Sequence, residues 1–382
     1  MELPYSFIDF LADIRPTKAQ RDDLKQGHTT LRTRLEDDEG LGALIVDTFL
    51  QGSYRRWTAI RPRGDKRSDV DVIVVTRLHE SEYTPDQALQ LFIPFLEKHY
   101  AGKYRLQGRS IGIEMSKVDL DLVITSAPSE QEEGVLQMNA VTADLLEEIG
   151  SGTPIDAELS KYVRVSGSGA LLIASAKSQP EWKLSPLRIP DRDAQIWEDT
   201  HPLAQIVWTR QKNAACGGHY VNVVKALKWW RRVNHATPKH PKGYPVEHII
   251  GYSCPDGIKS IAEGVTLTLE NIAATFAVTA AAQQTPDLRD HGVSEHNVFS
   301  RISGTDFAAF HAQVVEAAKI SRKALDAKDE AESTQLWKQL FGDKFPDAPA
   351  TSTKSSGGGS ASSTGGFTPR TNETTPVAGR FA

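Results

Sequence analysis

Apolar positions in the first half of the chain follow two periods. Spacing of three and four predicts a helix starting near Phe7 and, after a break at Pro16, a second through TKAQRDDLKQGHTTLRTRLEDD, residues 17–38. Runs of period two, rich in Val, Ile and Leu, read as strands: ALIVDTFL (43–50), DVDVIVVT (69–76), KYRLQGRSIGIEM (103–115), VDLDLVIT (118–125) and GALLIASA (169–176). Between them LQLFIPFLEKHYA (89–101) reads as a helix. From 206 the pattern is helical throughout, in HYVNVVKALKWWRRV, PVEHIIGYSC, IKSIAEGVTLTLENIAATFAVTAAA and the long FAAFHAQVVEAAKISRKALDAKDEAESTQLWKQLF. Beyond 345, Ser, Gly, Thr and Pro dominate, and too few apolar groups remain to offset the entropy of ordering. The pattern predicts an α/β lobe over 1–205, a helical lobe over 206–345 and a disordered tail over 346–382.

Composition narrows the class. The 382 residues are 39% apolar and 24% charged with a net charge of −5, enough material for two cores. A mildly acidic balance argues against strong nucleic-acid binding through bulk charge. Only Cys216 and Cys254 occur, so no disulfide framework is expected and a reducing cytoplasm is the expected home. The opening MELPYSFIDFLADIRP lacks the basic and apolar segments of a secretory signal, and no run reaches the roughly 18 apolar residues of a membrane span.

The chemistry concentrates in QGSYRRWTAIRPRGDKRSDVDVIVV, residues 51–75. Asp69 and Asp71 sit two apart in a strand, so both side chains leave one face. Two like charges that close call for a cation between them, and hard oxygen donors suit Mg²⁺ or Mn²⁺. VDLDLVIT offers a third carboxylate, Asp119 or Asp121, across the sheet. A single D-x-D at a strand start is commonly a solvated edge. Two such strands beneath a Gly-Ser pair are more specific: Gly52 permits close backbone approach, and Ser53 offers a hydroxyl and an N–H to a phosphate.

GSYRRWTAIRP followed by SDVDVIVV resembles the signature of the cGAS/DncV-like nucleotidyltransferases (CD-NTases) of the polymerase-β superfamily. There GS, a Thr-Ala-Ile-[Arg/Lys]-Pro turn and D-x-D occur in this order. The similarity continues through IPDRDAQIWEDTHP, VVKALKWWRR and LWKQLFGDKFP, so it covers most of 45–345, and the Thr58–Pro62 turn separates it from generic polymerase-β likeness. The resemblance implies an α+β protein. A polymerase-β-like lobe with a mixed sheet joins a helical second lobe like that of poly(A) polymerase and oligoadenylate synthetase, with NTPs in the cleft. It implies two Mg²⁺ (or Mn²⁺) ions and the joining of nucleotides, ATP among them, into a cyclic or linear product, in bacteria for antiphage (CBASS) signalling.

By the same resemblance, Gly52 and Ser53 cradle the donor triphosphate, and Asp69 and Asp71 bind both metals. The frame V-D-L-V-P-A matches LDLVIT and selects Asp121 as third ligand, whereas V-D-I-T-L matches VDLDL and selects Asp119; Asp121 is preferred because more downstream residues match. Lys228 falls on the Lys that contacts donor phosphates. KGYPVEHI (242–249) places Tyr244 where a Tyr stacks on a base, a contact worth roughly 1–3 kcal/mol; Gly243 replaces the usual Ser.

Other features carry less. Arg55, Arg56, Arg61, Arg63, Lys66 and Arg67 flank the cleft, either attracting nucleotide or solvating a loop, with a structural role for Arg61 in its turn. Cys216 and His219 form C-x2-H without a second pair at zinc spacing, which favours a small core thiol. His291 and His296 read as loop residues. The tail ends in Ala382, and bacterial relatives with flexible tails ending in a small residue resemble substrates of ubiquitin-like conjugation machinery. Three functions remain open: a synthase of a cyclic di- or trinucleotide messenger; linear oligonucleotide synthesis or transfer to RNA or protein; and a nucleotide-binding pseudoenzyme signalling through its tail.

Overall fold

The computed structural model describes residues 1–64, 66–126, 186–234 and 237–348, and residues up to Ala348 form one unit. The expected strand at 169–176, the tail from 349 and its Ala382 lie outside the described residues.

The chain opens with α1 (Pro4–Ile14) and α2 (Lys18–Glu36). Thr17 and Gln20 form a capping box at the start of α2, each bonding the other's backbone N–H. Then come β1 (Ile45–Gln51), the single turn α3 (Gly52–Arg55) and β2 (Ser68–Thr76). The segment expected as one helix over 89–101 breaks into α4 (Pro85–Gln90) and α5 (Ile93–Tyr100), because Pro94 cannot donate a helical hydrogen bond. KYRLQGRSIGIEM, expected as one strand, is a hairpin of β3 (Tyr104–Leu106) and β4 (Ile111–Glu114), and β5 (Val118–Thr125) follows.

These strands form a mixed sheet in the order β1-β2-β5-β4-β3, with β2 and β5 parallel and the other pairs antiparallel. Strand alternation gives each face its task. Val70, Val72 and Val74 share a core with Leu120 and Leu122 and with the Leu24, Leu31 and Leu35 stripe of α2. On the opposite face Ile73, Val75, Phe49 and Val123 meet Leu187 and Ile189. Those two belong to β6 (Leu187–Asp191), which pairs with β7 (Ile196–Thr200) in a hairpin that the periodicity did not announce. Asp69, Asp71, Asp119 and Asp121 occupy this second face, upstream of the part covered by β6.

The helical portion follows: α6 (Pro202–Ala215), α7 (Tyr220–Asn234), α8 (Tyr244–Ser253), α9 (Ile261–Thr275), α10 (Ala277–Ala281), α11 (Gly304–Asp326) and α12 (Glu330–Phe341). The stretch expected as one helix over 307–341 is two, since Ala327 is extended and Asp329 caps α12 by accepting from Glu332 N–H. α7 is buried on nearly every side, Trp229 and Trp230 included. α1 lies first in sequence, beside the sheet segments, yet buries Phe7, Phe10, Leu11 and Ile14 in the helical core. Phe7 meets Trp337 edge-on at 5.0 Å and Phe10 stacks on Phe341 at 4.5 Å, pairings that add to simple area burial.

Candidate active site

Hydrogen-bond register places the acids. Asp69 pairs with Asp119 and Asp71 with Asp121 across the parallel β2–β5 ladder, so all four emerge on one face. Arg67 then separates them. Its Nε lies 2.6 Å from Asp119 Oδ1, and its Nη2 lies 3.2 Å from Glu114. Asp119 is thereby diverted to an ion pair.

Asp121 instead accepts a bond of 2.9 Å from the Gln107 side-chain amide. Gly112 makes room for that contact, because a Cβ there would overlap Gln107 Nε2. Burial, then the charges of Asp69 and Asp121, push Asp71 up to about 7. Asp121 is raised too, by burial and then by Asp69. Among the described residues no group of three or more acidic, His or Cys side chains is placed to hold a metal ion. The donor set still fits a hard divalent cation: Asp69, Asp71 and Asp121 supply only carboxylate oxygens, from neighbouring register positions, and their ionised forms disfavour one another.

Gly52 closes over this group. Its φ of 76° suits glycine, and a Cβ on it would overlap the Asp71 carboxylate. The backbone turn therefore rests directly on the acid. Ser53 follows, and its carbonyl accepts the N–H groups of Thr58 (2.9 Å) and Ala59 (3.1 Å), folding the TAIRP turn back onto α3.

Lys228, on α7, reaches the same turn. Its ammonium donates to Thr58 O at 2.9 Å and to Glu247 Oε1 at 2.6 Å. Glu247 lies on α8, 4% exposed, and its other oxygen accepts from Thr58 Oγ1 (2.8 Å) and Arg56 Nε (3.2 Å). Burial alone would raise Glu247; Lys228 and Arg56 outweigh it and hold the carboxyl near 2. Tyr244 opens α8, with the Arg56 guanidinium 4.9 Å from its ring centre. Gly243 precedes it with φ 60° and no side-chain cap. Lys225, three residues before Lys228, is buried, and burial followed by the charges of Arg15 and Lys228 lowers it to about 7.

The structure thus gathers the expected residues into two adjoining groups: Asp69, Asp71 and Asp121 under Gly52, and Ser53, Lys228 and Tyr244 around Glu247. Of the basic run, Arg55 and Arg56 are buried, while Arg61 bonds the end of α1 through its N–H to Ile14 O at 2.7 Å. Cys216 and Cys254 are both buried thiols. Thr58 and Glu247 stood inside the TAIRP and KGYPVEHI segments without a role of their own, Arg67 was read only as one of the basic residues flanking the cleft, and Gln107 was not singled out from sequence.

The chain is 47% identical over 359 residues to a cyclic AMP-AMP-GMP synthase of Enterobacter hormaechei, covering 91% of this chain and 92% of that protein. It is a cGAS/DncV-like nucleotidyltransferase. A probable cyclic AMP-AMP-GMP nucleotide synthase of Salmonella paratyphi B is 46% identical over the full length of both. Residues 1–129 match the Second Messenger Oligonucleotide or Dinucleotide Synthetase domain. Among solved structures, the GTP complex of CdnG from Bradyrhizobium diazoefficiens superposes with a TM-score of 0.62 at 12% identity, over 89% of this chain and 95% of that one. The ATP-bound CdnC of E. coli MS115-1 gives 0.60 at 16% identity, over 91% and 100%. These two carry the fold; the two synthases carry the family. This nucleotidyltransferase makes a cyclic oligonucleotide messenger from NTPs, and no helix among its described residues is long and apolar enough to cross a membrane.

Proposed function

We propose that this nucleotidyltransferase joins two ATP and one GTP into a cyclic AMP-AMP-GMP trinucleotide in the cytoplasm, releasing three pyrophosphates. Identity of 46–47% across nearly the whole chain to two synthases named for that product is the observation that carries the base choice. The face shared by Asp69, Asp71 and Asp121 supports the chemistry.

In this reading those three carboxylates hold two Mg²⁺ or Mn²⁺ ions, which would acidify the attacking ribose hydroxyl and neutralise the departing pyrophosphate. The protein's own groups do the rest. Gly52 lets the backbone approach the donor triphosphate, while the Ser53 hydroxyl and N–H donate to its oxygens. Lys228 spends two of its three N–H bonds on Thr58 and Glu247, leaving one for a phosphate. The Tyr244 ring packs against a base. The ribose oxygen forms a bond to the α-phosphorus, the bond from that phosphorus to pyrophosphate breaks, and the hydroxyl proton passes to an Asp121 carboxylate oxygen. Asp121 fills the third-ligand position in preference to Asp119, which Arg67 engages.

Incubation with all four labelled NTPs and Mg²⁺ or Mn²⁺, followed by phosphatase and mass spectrometry, tests the reading. The expected species is a phosphatase-resistant ring of two adenylates and one guanylate. A linear product, a labelled macromolecule or a ring of other composition would refute it.

A further inference from the structure

We propose that Glu247 is a positioning residue for the bound nucleotide: the buried acid that ties the Gly52–Ser53 turn, Lys228 and Tyr244 into one unit. The inference rests on the reading above that these residues hold the nucleotide. Both carboxylate oxygens are committed, one to Lys228 and the other to Thr58 and Arg56, so the acid joins two segments far apart in the chain, the 56–58 turn and α7. Each donor leads to a different part of the site. Thr58 carries its own N–H to Ser53 O, so a shift of Thr58 moves the serine. Lys228 is held from two sides, by Glu247 and by Thr58 O. Arg56 lies over the ring of Tyr244, one helical turn before Glu247.

Stability alone is a poor reason for such a cluster, because buried ion groups are often replaced by apolar side chains at no loss. The charges give a better one. Lys228 and Arg56 together outnumber the acid they share, so the cluster holds two cations in fixed positions beside the turn. Loss of the acid would free Lys228 to swing and would loosen the turn that presents Ser53.

The test uses the full-length protein and a non-hydrolysable ATP analogue. Calorimetric affinity, kcat, KM and melting temperature are measured for wild type, Glu247→Gln, Lys228→Met and the double variant. Glu247→Gln should weaken analogue binding by about tenfold or more, the scale of losing hydrogen bonds to charged groups. It should also lower kcat, because the lysine contact strengthens as negative charge moves onto the departing phosphates in the transition state. In the Lys228→Met background the same change should cost at most about threefold, since the acid acts partly through that lysine.

Normal affinity and turnover in a Glu247→Gln protein that merely melts lower would overturn the inference, as would single-variant losses that simply multiply in the double. Should Glu247→Gln fail to fold, Thr58→Val removes one hydroxyl and unpairs no charge; it should weaken analogue binding several-fold, and unchanged binding would count against the role. A wild type that binds no analogue would remove the functional reading and this inference together, a signature distinct from the variants failing alone.

Discussion

Asp71 lies beneath the Gly52 backbone and beside Asp69 and Asp121, and burial followed by those like charges disfavours its ionised form. The sign of its effect on stability follows. Its pKa rises from 3.8 unfolded to about 7 folded, so between these values the folded protein keeps a proton that the unfolded chain has lost. Stability therefore falls as pH rises through that window, and the full penalty applies above about pH 7. Asp71→Asn should abolish product formation and, in chelator, raise the melting temperature at pH 8 while leaving it nearly unchanged at pH 4. An equal rise at both pH values would show that charge is not the cause. Legibility at this scale depended on distance along the chain. The G-S pair and D-x-D could be read because neighbours in sequence share a turn or a strand face. Asp119 and Asp121 could not be separated by spacing, since both leave the same face; the partner that separates them, Arg67, lies 52 residues before Asp119.

The β3–β4 hairpin does more than extend the sheet. Its turn delivers Gln107 to Asp121 and Arg109 to Asp191, so a short element read from sequence as plain strand carries one contact to the site and one to a buried acid outside it. Gln107→Leu keeps most of the volume and removes the amide that orients Asp121. It should weaken Mn²⁺ binding several-fold in calorimetry without nucleotide, with little change in the far-ultraviolet circular dichroism. Unaltered Mn²⁺ affinity would leave Gln107 as ordinary packing. Periodicity announced the apolar faces but missed the interruptions, because a helix break costs little in pattern. The missing N–H of Pro94 and the Asp329 side-chain cap each set a helix boundary through a single hydrogen bond, which hydrophobic spacing does not record. The β6–β7 hairpin escaped for a related reason: Arg188, Asp191, Glu198 and Asp199 interrupt its alternation and are spent on ion pairs.

Two buried acids, Glu247 and Asp191, join the sheet side to the helical side, and both are held near pKa 2. Asp191 accepts from Arg109 Nε at 2.8 Å, from Arg301 Nη2 at 2.7 Å and from the N–H groups of Asp193 and Ala194. Burial opposes its ionised form, but the Ala194 N–H and the two arginines more than compensate. Arg109 comes from the hairpin of the sheet and Arg301 from the segment leading into α11, so this one carboxylate spans the molecule. A folded pKa below the unfolded value of 3.8 means that its contribution is complete above about pH 5 and disappears as pH falls through 4 toward 2. Asp191→Asn should therefore cost about 1–2 kcal/mol at pH 7, less than a fully buried pair because Arg109 and Arg301 are partly exposed. The deficit should shrink steadily in urea unfolding at pH 4 and pH 2.5, where wild type loses the same charge. A deficit that stayed constant with pH would mean that the side chain holds the two parts together by shape and neutral hydrogen bonds, and the charge bridge would be wrong.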